Sequence, residues 1–201
     1  MEMSRSPRPE GDMMIDLYTA KQILRERETA REVEDYRYIM DTFRWMDVSR
    51  NAYFREVFCR HYEVKGLYTE DFRDRYFEIM EQMKGKRNVS FKECFKGVMG
   101  IGNRKELAFS SRLLHTLDPR YPTWDRVVAE GHFRMKKPTA GKDPVGNYSK
   151  RYGEYVDRFH EYMRSEEGVL LIRLFDGQFP GAKISDVRKL ELIIRKDRQD
   201  D

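Results

Sequence analysis

Residues 91–128 read Phe-Lys-Glu-Cys-Phe-Lys-Gly-Val-Met-Gly-Ile-Gly-Asn-Arg-Lys-Glu-Leu-Ala-Phe-Ser-Ser-Arg-Leu-Leu-His-Thr-Leu-Asp-Pro-Arg-Tyr-Pro-Thr-Trp-Asp-Arg-Val-Val. Phe91, Cys94, Phe95 and Val98 recur at steps of three and four, which gives one helix a single apolar face. Gly100-Ile101-Gly102 breaks that helix, because glycine allows positive φ and a close backbone approach to a ligand. Leu107, Ser110, Leu114 and Leu117 then line one side of a second helix. Asp118-Pro119 ends it and Tyr121-Pro122 marks a turn. Asp125 follows, at a position where the dipole of a new helix favours a carboxylate. The stretch is a helix, a glycine hairpin, a helix, a short loop and an aspartate heading a third helix.

The same periodicity extends in both directions. Residues 1–18 hold Pro, Ser and many charges, and are expected to be frayed. A long helix is expected over 19–47, with Thr19 as a cap and Ile23, Tyr36, Ile39, Phe43 and Met46 as its stripe. Residues 50–62 form another, with Phe54, Val57, Phe58 and His61 aligned. Thr69 or Asp71 caps a third that runs to Met83, and Ser90 caps the first helix of the hairpin. Residues 134–149 read as a polar loop, 150–165 as helix, and 168–175 as helix or strand. A last helix follows Ser185 or Asp186, with Val187, Leu190 and Ile194 inward. There is no repeat and no alternating strand pattern, so the expected class is all-α, a single helical domain over 19–201.

The chain has 201 residues with 39 Lys and Arg against 35 Asp and Glu. That mild excess says little about a partner, but its distribution says more. Residues 84–112 carry eight Lys or Arg against two Glu, and 131–151 carry six against one Asp. Two basic stretches flanking one site suit a phosphate backbone; as an alternative they are solvated loops. Cys59 and Cys94 sit at apolar helical positions and read as buried thiols. Two cysteines are too few for an iron–sulfur cluster, which normally takes four, and make no disulfide framework. Four scattered histidines, His61, His115, His132 and His160, argue against a metal site. No apolar run reaches membrane length; the expected location is cytoplasmic and the expected state monomeric.

The order of elements in 91–128 resembles the helix-hairpin-helix DNA glycosylase superfamily, the group of endonuclease III and the 8-oxoguanine DNA glycosylases. Gly100-Ile101-Gly102 matches the hairpin, and Pro122-Thr-Trp-Asp125 the aspartate site. Phe109-Ser-Ser-Arg-Leu-Leu-His-Thr-Leu-Asp-Pro and the run Phe54 to Glu81 are similar to a bacterial 8-oxoguanine-glycosylase-like branch. The resemblance covers roughly residues 50–195 and implies a two-lobed helical fold acting on double-stranded DNA. It implies excision of an altered base, oxidised guanine or another modified base such as one in phage DNA. The alternative is a helix-hairpin-helix module that binds DNA without catalysis.

Excision passes through an oxocarbenium-like state, and a carboxylate beside the sugar offsets its charge. The resemblance gives Asp125 that role; otherwise Asp125 is a helix cap. Members that also cleave the strand use a lysine early in the second helix. One alignment puts Lys105 there, the other Ala108, which leaves water as nucleophile. Backbone N–H groups of Gly100, Ile101, Gly102 and Asn103 are expected to hold a phosphate, with Lys96, Arg104 and Lys105 adding charge. A monovalent cation on the hairpin carbonyls would need no side chain, and no other cofactor is implied. A flipped base needs a stacking surface. Trp124 is the first candidate, then Phe109, Tyr121 and Trp45; each has a core alternative. Arg112 and His115 share the second helix, His115 reading as a satisfied core histidine.

Overall fold

The computed structural model describes residues 15–64, 68–102 and 104–199, residue 199 by its backbone alone. Among these residues the chain is all-helical, with no strand. Helices α1 (Leu17–Arg25) and α2 (Arg27–Trp45) occupy the span expected to be one helix. The chain breaks at Glu26, whose ψ of 140° is extended. Thr29 stabilises the break by donating its buried hydroxyl to the Ile23 carbonyl at 2.7 Å. The break has a packing reason. Helix α1 turns Ile23 and Leu24 into the core at the C-terminal end of the chain, while α2 lays Val33, Tyr36, Ile39 and Phe43 inward. One straight helix could not serve both directions.

Asp16, not Thr19, caps α1: its carboxylate accepts from the Thr19 N–H at 2.9 Å and the Thr19 hydroxyl at 3.1 Å. Ile15 is buried, and its N–H donates to Glu167 Oε1 at 2.5 Å. Ile15 is therefore packed and Leu17 and Tyr18 open α1 with their side chains exposed; the rest of the segment expected to be frayed, 1–14, lies outside the described residues.

Helix α3 (Ala52–His61) starts at Asn51, and α4 (Glu70–Met83) at Thr69, whose hydroxyl accepts from Phe72 N–H. Helix α5 (Phe91–Met99) opens with a capping box, in which Ser90 and Glu93 each bond the other's backbone N–H. Its buried residues Phe91, Cys94, Phe95 and Val98 are those the periodicity selects. Helix α6 (Leu107–Leu117) packs on α5 across a tight turn. Gly102 sits there at φ +81°, which suits glycine, while Gly100 is right-handed at φ −61° and does not need it.

After α6, Asp125 heads a π-helix (Arg126–His132) in place of an ordinary α-helix. Helix α7 (Pro144–Arg164) starts inside the segment expected to be loop. Pro144 occupies its first turn, and the Asp143 carboxylate accepts from Gly146 N–H at 2.9 Å. Helix α8 (Glu166–Gln178) settles 168–175 as helix, and α9 (Asp186–Gln199) closes the fold. Ser185 caps α9, its hydroxyl accepting from Arg188 N–H at 3.2 Å.

Helix α9 organises the interior. It packs against α1, α7, α8 and the π-helix. Every residue from Val187 to Asp197 is buried. Val187, Leu190 and Ile194 face inward as expected, but so do charged side chains. A buried charge is tolerated only when paired, and partners are present. Arg188 pairs with Glu191 at 3.1 Å, with both side chains almost fully buried. Arg195 pairs with Glu32, and Lys196 lies 3.2 Å from the same carboxylate. Lys189 meets Asp186 at 2.7 Å and Asp176 at 2.8 Å.

Three histidines share this interior. His115 donates from Nδ1 to the Tyr121 carbonyl at 2.6 Å and accepts the Tyr36 hydroxyl at Nε2 at 2.8 Å. His61 Nε2 faces Arg188 Nη2 at 2.8 Å, so it accepts, and its ring is neutral. Burial is the main force holding His61, His115 and His132 below the usual histidine range, His132 at about 4. The cationic Arg188 adds to burial at His61. Above pH 6.5 folded and unfolded chains both carry neutral rings. Below it the unfolded chain takes up protons that the folded one refuses, so stability falls with pH. His132 costs up to about 1.4 kcal/mol per pH unit until about pH 4, and His61 and His115 act in the same direction. Urea midpoints are expected to be level above pH 7 and to drop steeply from pH 6.5 downward. Equal midpoints at pH 7.5 and 5 would show that these rings are not locked neutral.

Candidate active-site cleft

The loop from Asp118 to Asp125 joins α6 to the π-helix, and buried side chains hold almost every step of it. His115 of α6 holds the Tyr121 carbonyl. Tyr152 of α7 donates to the Pro122 carbonyl at 2.7 Å. Glu191 of α9 accepts from the Thr123 N–H at 2.5 Å and the Thr123 hydroxyl at 2.9 Å. Tyr155 of α7 donates to the Thr123 carbonyl at 3.1 Å. Ser111 of α6 accepts from the Trp124 N–H at 2.7 Å. An ordinary connection leaves most such groups to water; this one is fixed from three helices.

At its end, Asp125 Oδ1 accepts from Val127 N–H at 2.7 Å and Val128 N–H at 3.1 Å. These bonds cap the π-helix and fix the carboxylate's direction. The half-buried carboxylate lines a cleft of about 230 Å³. Tyr62 from the end of α3, Arg112 from α6, and Arg188, Glu191 and Arg195 from α9 form its walls with Asp125; Arg126 and Glu63 stand exposed on its edge. Arg188 is neutralised by Glu191 and Arg195 by Glu32. Arg112 makes no ion pair among the described residues; its guanidinium lies 5.1 Å over the Tyr62 ring and 5.6 Å from that of Phe109. Tyr62 is 5% exposed, its hydroxyl has no partner among the described residues, and burial pushes it up to about 12, so it stays protonated at neutral pH.

The other expected site residues lie elsewhere. Lys105 is exposed and Ala108 half-buried, and neither is on the cleft wall. Gly100, Ile101 and Gly102 line a separate groove, which they share with Asp71, Arg75 and Glu78 of α4. Arg104 is tied to Glu106 at 3.1 Å and lies over the Tyr68 ring; Lys96 is exposed. Asn103 lies outside the described residues. Trp124, expected as a stacking wall, is 3% exposed, its indole N–H on Glu130 and its ring edge-on to Tyr155. Phe109 packs among Tyr68, Phe72 and Tyr76. Both rings are core side chains in this structure. Tyr121 borders a third groove, with Asp118 and Arg120, and Trp45 is open to solvent. Cys94 is buried and its thiol is pushed up to about 12, which leaves no thiolate for chemistry.

Tyr62, Arg112, Arg188, Glu191 and Arg195 are wall residues of the cleft to which sequence reasoning gave no role. Arg112 had one local signal, a cation on the helix that leads to Asp125. The others had none, since they converge only through packing. Among the described residues no group of His, Cys, Asp or Glu is arranged to hold a metal ion, and no helix is long and apolar enough to cross a membrane. Comparison with models of protein families, with curated proteins and with solved structures gives no match to this chain.

Proposed function

We propose that this chain is a DNA glycosylase that excises an altered base from duplex DNA, oxidised guanine or another modified base, with water as the nucleophile. The observation that carries this reading is Asp125, a carboxylate facing a cleft at the end of a loop clamped by α6, α7 and α9. Such clamping is what electrostatic stabilisation requires, because a group that is already oriented loses nothing by reorienting during reaction. On this reading Asp125 offsets the positive charge that grows on the deoxyribose as the glycosidic bond breaks. The α5–turn–α6 corner is read as the helix-hairpin-helix that grips the duplex, in a two-lobed helical fold. Exposed Lys92, Lys96 and Lys105 on and beside that corner supply the phosphate contacts.

The test is direct. Duplexes carrying single altered bases are incubated with the protein and treated with alkali, which cuts at abasic sites. Cleavage on one or more substrates that disappears in Asp125→Asn supports the enzyme. Duplex binding with no cleavage on any substrate would reduce the chain to a binding module. The nucleophile has its own test. Lys105 is solvated and off the cleft wall, so borohydride trapping is expected to give no protein–DNA adduct. An adduct lost in Lys105→Gln would restore the lyase alignment.

A further inference from the structure

Asp125 has an electrostatic problem. The sugar it must approach carries a phosphodiester at each end, and a carboxylate repels both. A cleft that admits the sugar therefore needs an uncommitted cation close to the carboxylate. Arg188 and Arg195 do not qualify, since Glu191 and Glu32 hold them. Arg112 does. It lines the same cleft and is half-buried, and its guanidinium has no ion pair and no hydrogen bond among the described residues. Its guanidinium is instead held against the rings of Tyr62 and Phe109. A guanidinium braced on aromatic faces keeps its donors free and its direction fixed. Tyr62 lines the same cleft and is itself buried, so the ring that braces the guanidinium is fixed in place. Arg126, exposed at the edge and also without an ion pair among the described residues, adds charge to the entrance. Glu63 stands there too, but water screens its exposed carboxylate.

We propose that Arg112, braced on Tyr62, grips a phosphodiester of the strand whose sugar meets Asp125. This rests on the glycosylase reading, and fork-like pairing with a phosphate is the chemistry that a free guanidinium serves best. The probe is a duplex with one tetrahydrofuran abasic analogue, which needs no knowledge of the base. Each phosphate flanking the analogue is replaced in turn by a neutral methylphosphonate. Arg112→Gln is expected to weaken binding about tenfold on the native duplex, and less than twofold when the gripped phosphate is neutral. Arg112→Lys should fall between, because it keeps the charge and loses the fork. Circular dichroism and thermal midpoints establish that both variants fold; if Arg112→Gln does not, Arg112→Lys carries the comparison. Equal losses on native and neutral duplexes would overturn the proposal and leave the glycosylase reading standing. Absence of any duplex binding by the unmodified chain would sink both. Tight, Arg112-dependent binding of a free deoxynucleoside monophosphate, with no coupling on the duplex, would assign the site to free nucleotides and overturn the strand contact.

Discussion

Replacing Asp125 with Asn is expected to lower base release by about a hundredfold to ten-thousandfold, the range that one positioned charged or proton-handling group contributes. The substitution separates chemistry from stability. Asp125 Oδ1 carries both capping bonds, to Val127 and Val128 N–H. An asparagine carbonyl can accept the same two bonds, and Asn and Asp are nearly equal as helix caps. The π-helix should therefore survive, and the thermal midpoint should move little. What is lost is the negative charge on a side chain that faces the cleft. Asp125→Ala would be a poorer test, since losing the cap costs about 1 kcal/mol of its own. Single-turnover excision, measured beside a thermal melt, decides the matter. Unchanged excision in a folded Asp125→Asn protein would remove Asp125 from the reaction.

The second large effect belongs to Glu191→Ala, which is expected to destabilise the fold by about 3–5 kcal/mol, the usual cost of breaking a buried ion pair on one side. Three partners lose their acceptor at once: the Arg188 guanidinium, the Thr123 N–H and the Thr123 hydroxyl. The Arg188 guanidinium would be left buried without a carboxylate, facing a neutral His61. Glu191→Gln keeps an oxygen for Thr123 and removes the charge, so it should cost less. Exchanging both partners, Arg188→Met with Glu191→Leu, should be milder than Glu191→Ala, because no unpaired charge remains buried. The double variant also tests positioning. It removes the Thr123 tether two residues before Asp125, so excision should fall even where urea midpoints recover. A loss below about 1 kcal/mol in Glu191→Ala would mean that α9 does not hold its charge as the geometry indicates.

Much of this molecule follows from local rules. The faces of α3 and α5, the Ser90 cap and the position of Asp125 at the head of a helix were legible because each depends on residues within a turn or two, whereas α6, expected to bury one side, is buried nearly all round. The break at Glu26 was not, since Arg25-Glu26-Arg27-Glu28 looks the same on a solvated face as at a corner. The early start of α7 was half-legible: Pro144 after Asp143 is a start signal, but Gly141 and Gly146 around it read as loop. Trp124 and Phe109 show another limit. An aromatic beside a site residue has the same sequence signature whether it stacks on a ligand or fills the core, and here the core took both.

The sequence by itself determined an all-helical chain, the corner at Gly102 and a carboxylate, Asp125, at the start of the helix after α6. Those features arise from backbone hydrogen bonds and side chains close together along the chain. Only the tertiary structure decided what surrounds that carboxylate. Glu191 reaches Thr123 across 68 positions and Arg188 reaches His61 across 127, and no periodicity spans such distances. The charges of α9, which a reading of its apolar face leaves in water, are buried because their partners come from α2, α3, α8 and the Asp125 loop. Arg188–Glu191 and Lys189–Asp186 are local pairs on α9 itself, but the contacts to Glu32, His61, Asp176 and Thr123 form only in the folded state, so the cleft that α9 builds stays hidden from any local rule.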